Sequence, residues 1–313
     1  MILPLTNKTI KAISPEMTVL AQPSRCVRQR CSHNVCTKCM DICPTDAVFW
    51  DEMGIGINQD SCTQCLACLA VCPTAALISP EISLVQLLSE LAKHPLPVLG
   101  CHGKQNTKAH ARLPCLGLLA HSELMVICAL IFSEGLQLNL SACEDCPNKH
   151  IIPTIDKTHS FINTFITDNA LQLIKKEIDL DFQAPSINRR QLFSMLREHT
   201  TRKTATIIGR LQDSSEQQSY GEKQVPIIRT MLLKILSSHP EEYRQTIINQ
   251  LFGNIAFTSE CTQSERCVGV CPTGAIQSSG NDNAPSSFNR ELCVACNSCQ
   301  AFCRSGGVLC LQT

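Results

Sequence analysis

The sequence predicts an α+β chain in which two cysteine-dense modules flank a small α/β (βαβ) cysteine domain and a helical segment. Three observations predict it. Cysteines crowd residues 26–80 and 255–313, and none occurs between 147 and 252. The two crowded ends share a turn, "CPTDAV" at 43–48 and "CPTGAI" at 271–276, each followed by a CxxCxxCxxxC run, so they read as copies of one module. Between 96 and 146, five dispersed cysteines fall where strand-like and helix-like stretches alternate.

Composition narrows the function classes. At 313 residues the chain has room for two or three domains. Its 27 basic and 27 acidic residues balance, so no global field draws it to nucleic acid or anionic lipid. Aromatic residues make up only 4%, too few for a large aromatic core. The 22 cysteines would suggest disulfides in a small secreted protein. Here the chain is long and the cysteines bunch in CxxC runs. The N-terminal "MILPLTNKTIKAISPEMTVLAQPSRC", interrupted by Lys8 and Lys11, lacks the apolar core of a signal peptide. Closely spaced cysteines pair poorly with one another and converge well on a metal, so thiolate ligation in a reducing cytoplasm is expected. The longest apolar stretch, "LMVICALIF" at 124–132, is too short to span a bilayer. A soluble cytoplasmic protein with no membrane span is expected.

The elements follow in order. Residues 1–25 read as an N-terminal extension, and residues 26–80 as the first module. In "EISLVQLLSELAK" (81–93), Ile82, Val85, Leu88 and Leu91 have helical spacing, and Pro95 ends the helix. The α/β domain covers 94–150. "LPVLGC" reads as a strand ending at Cys101, and "ARLPCLG" brings Cys115. "HSELMVICALIFSEG" reads as a helix capped by His121 or Ser122 and stopped at Gly135. "LQLNLSAC" alternates apolar and polar residues, so it reads as a strand running to Cys143, with Cys146 just after. Strand–helix–strand predicts a parallel βαβ unit. Its loops would gather Cys101, Cys115, Cys143 and Cys146 on one edge, where α/β sheets place ligands. In 151–252, "SFINTFITDNALQLIKKEI", "RRQLFSMLREH" and "IRTMLLKILSSHPEEYRQTIINQLFG" read as helices, with a polar linker at 211–226.

The chemistry sits in the runs. Cys62, Cys65, Cys68 and Cys72 are spaced C-x2-C-x2-C-x3-C-P. Three cysteines in a tightly curled loop can reach three irons of one compact cluster, while the fourth points away to another. Pro73 fixes the turn and has no N–H to satisfy. A zinc site also favours CxxC pairs but does not need interleaved four-cysteine runs.

Residues 31–78 and, in eroded form, 261–311 resemble the bacterial-type two-[4Fe–4S] ferredoxins, which makes the modules ferredoxin-like dicluster folds of a polyferredoxin. In that family the fourth cysteine of each run ligates the other run's cluster. The resemblance implies that Cys43 joins Cys62, Cys65 and Cys68. It also implies that Cys72 joins Cys36 and Cys39, with a fourth ligand to be found. Counting back from Cys43 reaches His33, with Cys31 and Cys26 nearby; Cys31 is favoured as a thiolate. At the other end Cys271 joins Cys293, Cys296 and Cys299. Cys261, Cys267 and Cys303 remain, with Ser264 in the missing grid position and Arg304 where proline is expected. The expectation is three [4Fe–4S] clusters and one [3Fe–4S] or otherwise altered cluster, its fourth iron open to Ser264, Cys310 or water.

Residues 95–150 resemble the delta (iron–sulfur) subunit of methyl-viologen-reducing hydrogenase, which works with heterodisulfide reductase. The likeness rests on Cys101 after a strand, Pro114-Cys115-x-Gly117, and Cys143 after a second strand. It implies a [2Fe–2S] cluster on these cysteines; zinc or a redox dithiol are the alternatives. Cys128, inside the helix, reads as a small buried apolar residue. His102, His110 and His121 are alternative ligands, or hydrogen-bonded histidines without a metal role.

Arg189, Arg190, Arg197, Arg202 and Lys203 form a basic stretch, read as a solvated helix face or as a docking patch for an acidic partner. No phosphate loop or dinucleotide fingerprint occurs. The expected function is electron transfer by a non-catalytic subunit, between an oxidoreductase such as a hydrogenase, formate dehydrogenase or related molybdenum enzyme and a second carrier. The partners are implied by the resemblance. Two other readings stand: a redox sensor or assembly factor with a labile cluster near Ser264, and a thiol–disulfide subunit using the middle cysteines.

Overall fold

The structure is a computed structural model that describes residues 19–103, 108–166, 171–183, 222–261, 266–278 and 286–311. Ser264, the basic stretch at 189–203, "RRQLFSMLREH" and the linker up to residue 221 lie outside the described residues.

The first module is a frame of short elements: β1 (Leu20–Ala21), α1 (Val27–Arg30), α2 (Lys38–Asp41), β2 (Val48–Asp51), β3 (Gly54–Ile57), α3 (Ala67–Val71) and β4 (Leu77–Ile78). β2 and β3 form an antiparallel hairpin, with Val48 opposite Ile57 and Asp51 opposite Gly54. Gly54 takes a φ of 104°, which a side chain resists. β1 pairs antiparallel with β4, Leu20 facing Ile78. The extension expected over 1–25 therefore ends earlier: Leu20 and Ala21 belong to the module, and the Gln22 N–H donates to the Ala76 carbonyl at 2.7 Å. α4 (Leu84–Leu91) follows, as its spacing predicts, with the Ser83 hydroxyl accepting from the Gln86 N–H at its start.

The centre is a parallel sheet of four strands in the order β6-β5-β7-β8. They are β5 (Val98–Cys101), β6 (Ala111–Leu113), β7 (Leu136–Asn139) and β8 (Leu171–Ile174). β5 and β7 are parallel neighbours, with Leu99 beside Leu138. Between them runs α5 (Ser122–Ile131), whose side chains from Leu124 to Ala129 are all buried. It is apolar on every side because the sheet and further helices enclose it.

Beyond residue 150 the fold departs from expectation. A helix, α6 (Ile151–Ile162), precedes β8, and the second half of "SFINTFITDNALQLIKKEI" is that strand. Phe161, Phe165, Ile166 and Leu171 mimic helical spacing, but the chain has already left the helix. Leu171 to Ile174 align with Leu136 to Asn139 of β7. The α/β domain thus continues past 150, and Gln137 ties the sheet to Asp181 through its carbonyl (2.7 Å) and N–H (2.8 Å).

α7 (Ile227–Leu236) and α8 (Glu241–Leu251) follow each other closely in the chain, Pro226 and Pro240 standing just before their first turns. α7 packs on α5. One apolar core runs through the first module, the sheet and these two helices.

The second module repeats the first: β9 (Asn254–Phe257), α9 (Arg266–Val270), β10 (Ile276–Gln277), β11 (Ser287–Phe288), α10 (Ser298–Phe302) and β12 (Val308–Leu311). β10 and β11 pair as β2 and β3 do, and β9 with β12 as β1 with β4. Its small core of Ile255, Cys271, Ala275, Ile276 and Val308 is separate. Among the described residues no helix is long and apolar enough to cross a membrane.

Candidate metal centres

Backbone geometry prepares the cysteine runs. Three residues after Cys43, Cys72, Cys271 and Cys303, the chain turns through positive φ at Asp46 (52°), Ala75 (52°), Gly274 (73°) and Gly306 (73°). Gln64 and Leu66, and likewise Ala295 and Asn297, also hold φ values of 50–60°. Such left-handed residues curl a loop tightly enough to turn successive thiols to one side. The Cys303 run keeps its turn although Arg304 replaces proline.

In the first module, Cys43, Cys62, Cys65 and Cys68 line one cavity, walled by Val19, Ala47, Val48, Ile57 and Leu66. This is the set expected for the complete cluster. A second cavity is lined by Cys26, Cys36, Cys39 and Cys72, with Trp50, Ile55 and Ala76 around them. Cys31, favoured from the sequence, is not among its lining residues; it is buried, at 2% exposure. His33 is exposed and packs edge-on against Phe302, ring centroids 5.5 Å apart. Cys26, and not Cys31, is the fourth thiol lining this cavity. Counting back along a grid assumes an uninterrupted loop, whereas α1 separates Cys26 from Cys31.

Burial and neighbouring thiols set the electrostatics. Burial first, then Cys72, Cys36 and Cys26, push the Cys39 thiol up to about 12. Burial and the adjacent Cys65 and Cys62 push Cys68 strongly up. Mutual repulsion of this kind is relieved when cationic iron takes the protons' place. The Ala76 N–H donates to Cys72 Sγ at 3.2 Å.

In the second module, Cys271, Cys293, Cys296 and Cys299 line a cavity as expected, and Cys310 joins them. Cys310 was a candidate for the altered site, but its Sγ lies 3.7 Å from Cys299 Sγ. A methyl group on Gly253 would stand 2.8 Å from Cys293 Sγ, so only glycine leaves this cradle open. Cys261, Cys267 and Cys303 form the other set: the Cys267 thiol is raised by burial and by its neighbours Cys261 and Cys303. Cys303 Sγ is 3.5 Å from Ser305 Oγ.

The middle cysteines sit at the C-terminal edge of the parallel sheet: Cys101 ends β5, Cys115 follows β6 and Cys143 follows β7. Cys115 is pushed up to about 12, by burial first and then by Cys65, Cys101 and Cys143. Cys146 Sγ accepts the Asn148 N–H at 3.5 Å, and the Asn148 amide reaches Cys115 Sγ at 4.0 Å. Of the histidines, His110 engages the Val98 N–H and the Gln183 carbonyl and stacks on His94, so it is a hydrogen-bonded histidine. Cys128 is buried inside α5. Among the described residues no three His, Cys, Asp or Glu side chains converge as a site for a single metal ion. The thiols of the three four-cysteine sets described above line small cavities instead.

The sets stand close to one another. Gly117, just after Cys115, packs on the Cys65 carbonyl so closely that a Cβ would come within 2.1 Å of it. The Asn148 amide donates to the Thr63 carbonyl at 3.1 Å, joining the Cys146 loop to the same first-module loop. Elsewhere in the first module, Asn34 Oδ1 accepts the Cys36 N–H at 2.9 Å. Its Nδ2 donates to the Cys296 carbonyl and to Ser298 Oγ, each at 3.0 Å. Arg229, buried over the Phe252 ring, donates to the Glu291 and Cys293 carbonyls and to both oxygens of Glu123. It locks the second module to α5. Sequence reading missed Asn34 and Arg229, since a lone amide and a lone guanidinium carry no spacing signal.

Residues 30–76 match the model of a 4Fe-4S dicluster domain, and residues 255–304 match a second 4Fe-4S dicluster domain model. No curated protein matches the chain. Both ends of the chain are therefore dicluster domains, and the protein binds iron–sulfur clusters. Two such domains imply about four [4Fe–4S] clusters.

Proposed function

We propose that the chain is an electron relay whose thiol sets stand in file from the middle domain to the far end of the second module. When bound, iron–sulfur clusters take up and release single electrons with little ligand movement. The observation that carries the reading is the pair of loop contacts at either side of the first module. Gly117 brings the Cys115 loop onto the Cys65 loop, and Asn34 brings the Cys36 loop onto the Cys296 loop. A binding protein with independent clusters has no need of such close approach between three separate domains.

Cys43, Cys62, Cys65 and Cys68 would hold one [4Fe–4S] cluster, Cys26, Cys36, Cys39 and Cys72 the next, and Cys271, Cys293, Cys296 and Cys299 a third. Cys261, Cys267 and Cys303 suit a [3Fe–4S] cluster or a [4Fe–4S] cluster with a non-thiolate ligand. The middle set, Cys101, Cys115, Cys143 and Cys146, would hold a [2Fe–2S] cluster, in line with the resemblance to the hydrogenase delta subunit. On that reading an oxidoreductase would be the partner at the middle-domain end and a second carrier the partner at the other.

Anaerobic purification, iron and sulfide counting, and EPR during a redox titration test the reading. The expected result is reversible one-electron titration of every cluster, with rapid equilibration between the modules after partial reduction. Clusters that titrate but stay out of equilibrium with one another for minutes would refute the relay and leave storage or sensing.

A further inference from the structure

The complete set of the second module has one thiol more than it needs. Cys310 lines the same cavity as Cys271, Cys293, Cys296 and Cys299. The corresponding cavity of the first module is lined by four cysteines only. The extra thiol is fixed in place. Along β12, Val308 is buried and Cys310 half-buried, while Leu309 and Leu311 are exposed, so the strand's alternation turns Cys310 inward. β12 is held by β9, with Cys310 opposite Ile255. The Cys310 N–H donates to Gln300 Oε1 at 2.7 Å, tying the strand to α10, the helix that carries Cys299. Seven residues after Cys303 stands Cys310; seven after Cys72 stands Ser79, whose hydroxyl donates to Glu81. The repeat therefore does not demand a thiol at this position.

We infer that Cys310 is a reserve ligand of the second module's complete cluster, able to take the iron that Cys299 holds. The exchange is balanced without an oxidant. The Cys310 thiol gives up its proton and forms a sulfur–iron bond, and Cys299 sulfur leaves the same iron and takes up a proton. The 3.7 Å separation of the two sulfurs lets either reach one iron by a small side-chain movement. The cluster that Asn34 faces would then survive damage to Cys299.

The inference rests on the cluster-binding reading, and the test separates the two. The full-length wild type, Cys299→Ala, Cys310→Ala and the double variant are reconstituted anaerobically with ferrous iron and sulfide. Iron is counted, and protected thiols are mapped with iodoacetamide and mass spectrometry. The wild-type count judges cluster binding, and the differences between variants judge the ligand. Each single variant is expected to keep the wild-type iron, and the double variant to lose the iron of one cubane. Cys310 should be alkylated in the loaded wild type and protected in loaded Cys299→Ala. First-module cysteines protected in every variant show that the chain has folded; Cys299→Ser replaces Cys299→Ala if they are not. Loss of the same cubane from the Cys299 single variant, or its full retention in the double variant, would overturn the assignment.

Discussion

The side-chain amide of Asn34 donates to the backbone carbonyl of Cys296 at 3.0 Å, across 262 residues of sequence. Asn34 is 6% exposed and also accepts the Cys36 N–H, so one amide holds a cysteine loop of each module. The two modules, copies in sequence, thus meet through their cysteine loops.

Replacing Asn34 with alanine leaves the Cys36 N–H, the Cys296 carbonyl and Ser298 Oγ without this partner in a buried place. Loss of such bonds costs about 1–3 kcal/mol. Clusters should still load, but electron equilibration between the modules should slow relative to wild type. Freeze-quench EPR after partial reduction measures it. An unchanged rate would mean that electrons cross elsewhere.

Gly117 governs the other crossing. A single methyl group would overlap the Cys65 carbonyl, and its next contact is Ile151 Cγ2 at 3.0 Å, so neither side can yield cheaply. Gly117→Ala should push the middle domain off the first module, at a cost typical of overpacking, about 1–3 kcal/mol. The signature is a weakened magnetic interaction between the middle centre and its neighbour in EPR, with the second module's signals unchanged.

Cys26 and Cys31 make a paired test. Cys26 lines the cavity with Cys36, Cys39 and Cys72, and Cys31 does not. Cys26→Ala should lose or alter one first-module cluster. Cys31→Ala should keep every iron and lose only the packing of a small buried side chain, on the order of 1 kcal/mol. Iron counting and EPR on the two variants decide it; the reverse pattern would restore Cys31.

How far the sequence could be read depended on the range of the forces involved. The thiols of 62–72 and 293–303 were legible because the ligand spacing is local: each loop curls on its own positive-φ residues. The βαβ core was legible because α5 and its flanking strands carry their own apolar patterns. β8 was not, because its strand character comes from pairing with β7, and four residues carry too little pattern. Cys26 was hidden by one turn of helix inserted in the grid. Asn34 and Arg229 make their decisive bonds across domain contacts, so no window of sequence marks them, and Gly117 was read only as part of Pro114-Cys115-x-Gly117.

Arg229 illustrates a buried charge with complete partners. Its side chain is 2% exposed, bidentate to Glu123, and bonded to two carbonyls of the Cys293 loop. Arg229→Met removes one member and takes the guanidinium from both carboxylate oxygens of Glu123. Such a break costs roughly 3–5 kcal/mol. The double change Arg229→Met with Glu123→Leu should recover part of it. Denaturant unfolding of the four chains gives the coupling, and the second module's EPR should broaden in Arg229→Met alone as the Cys293 loop loses its clamp.

The last prediction concerns pH and the thiol that no site uses. Cys128 lies inside α5 at 2% exposure, and burial alone pushes it up to about 12 from 9.0. A folded-state value above the unfolded one means that the fold binds this proton more tightly. The contribution is then fully present below about pH 9 and is lost as pH rises toward 12. A shift of this size is worth on the order of 4 kcal/mol at full titration. Cys39 and Cys115, raised to about 12 for the same first cause, act in the same direction in the cluster-free chain. The cluster-free chain should therefore lose stability steeply above about pH 9. Cys128→Ala should flatten part of that slope, which equilibrium unfolding at a series of pH values reads directly. In the loaded protein Cys39 and Cys115 would already be thiolates on iron, and the remaining slope should be that of Cys128. A loaded protein with the same slope as the cluster-free one would mean that those two thiols are not ligands.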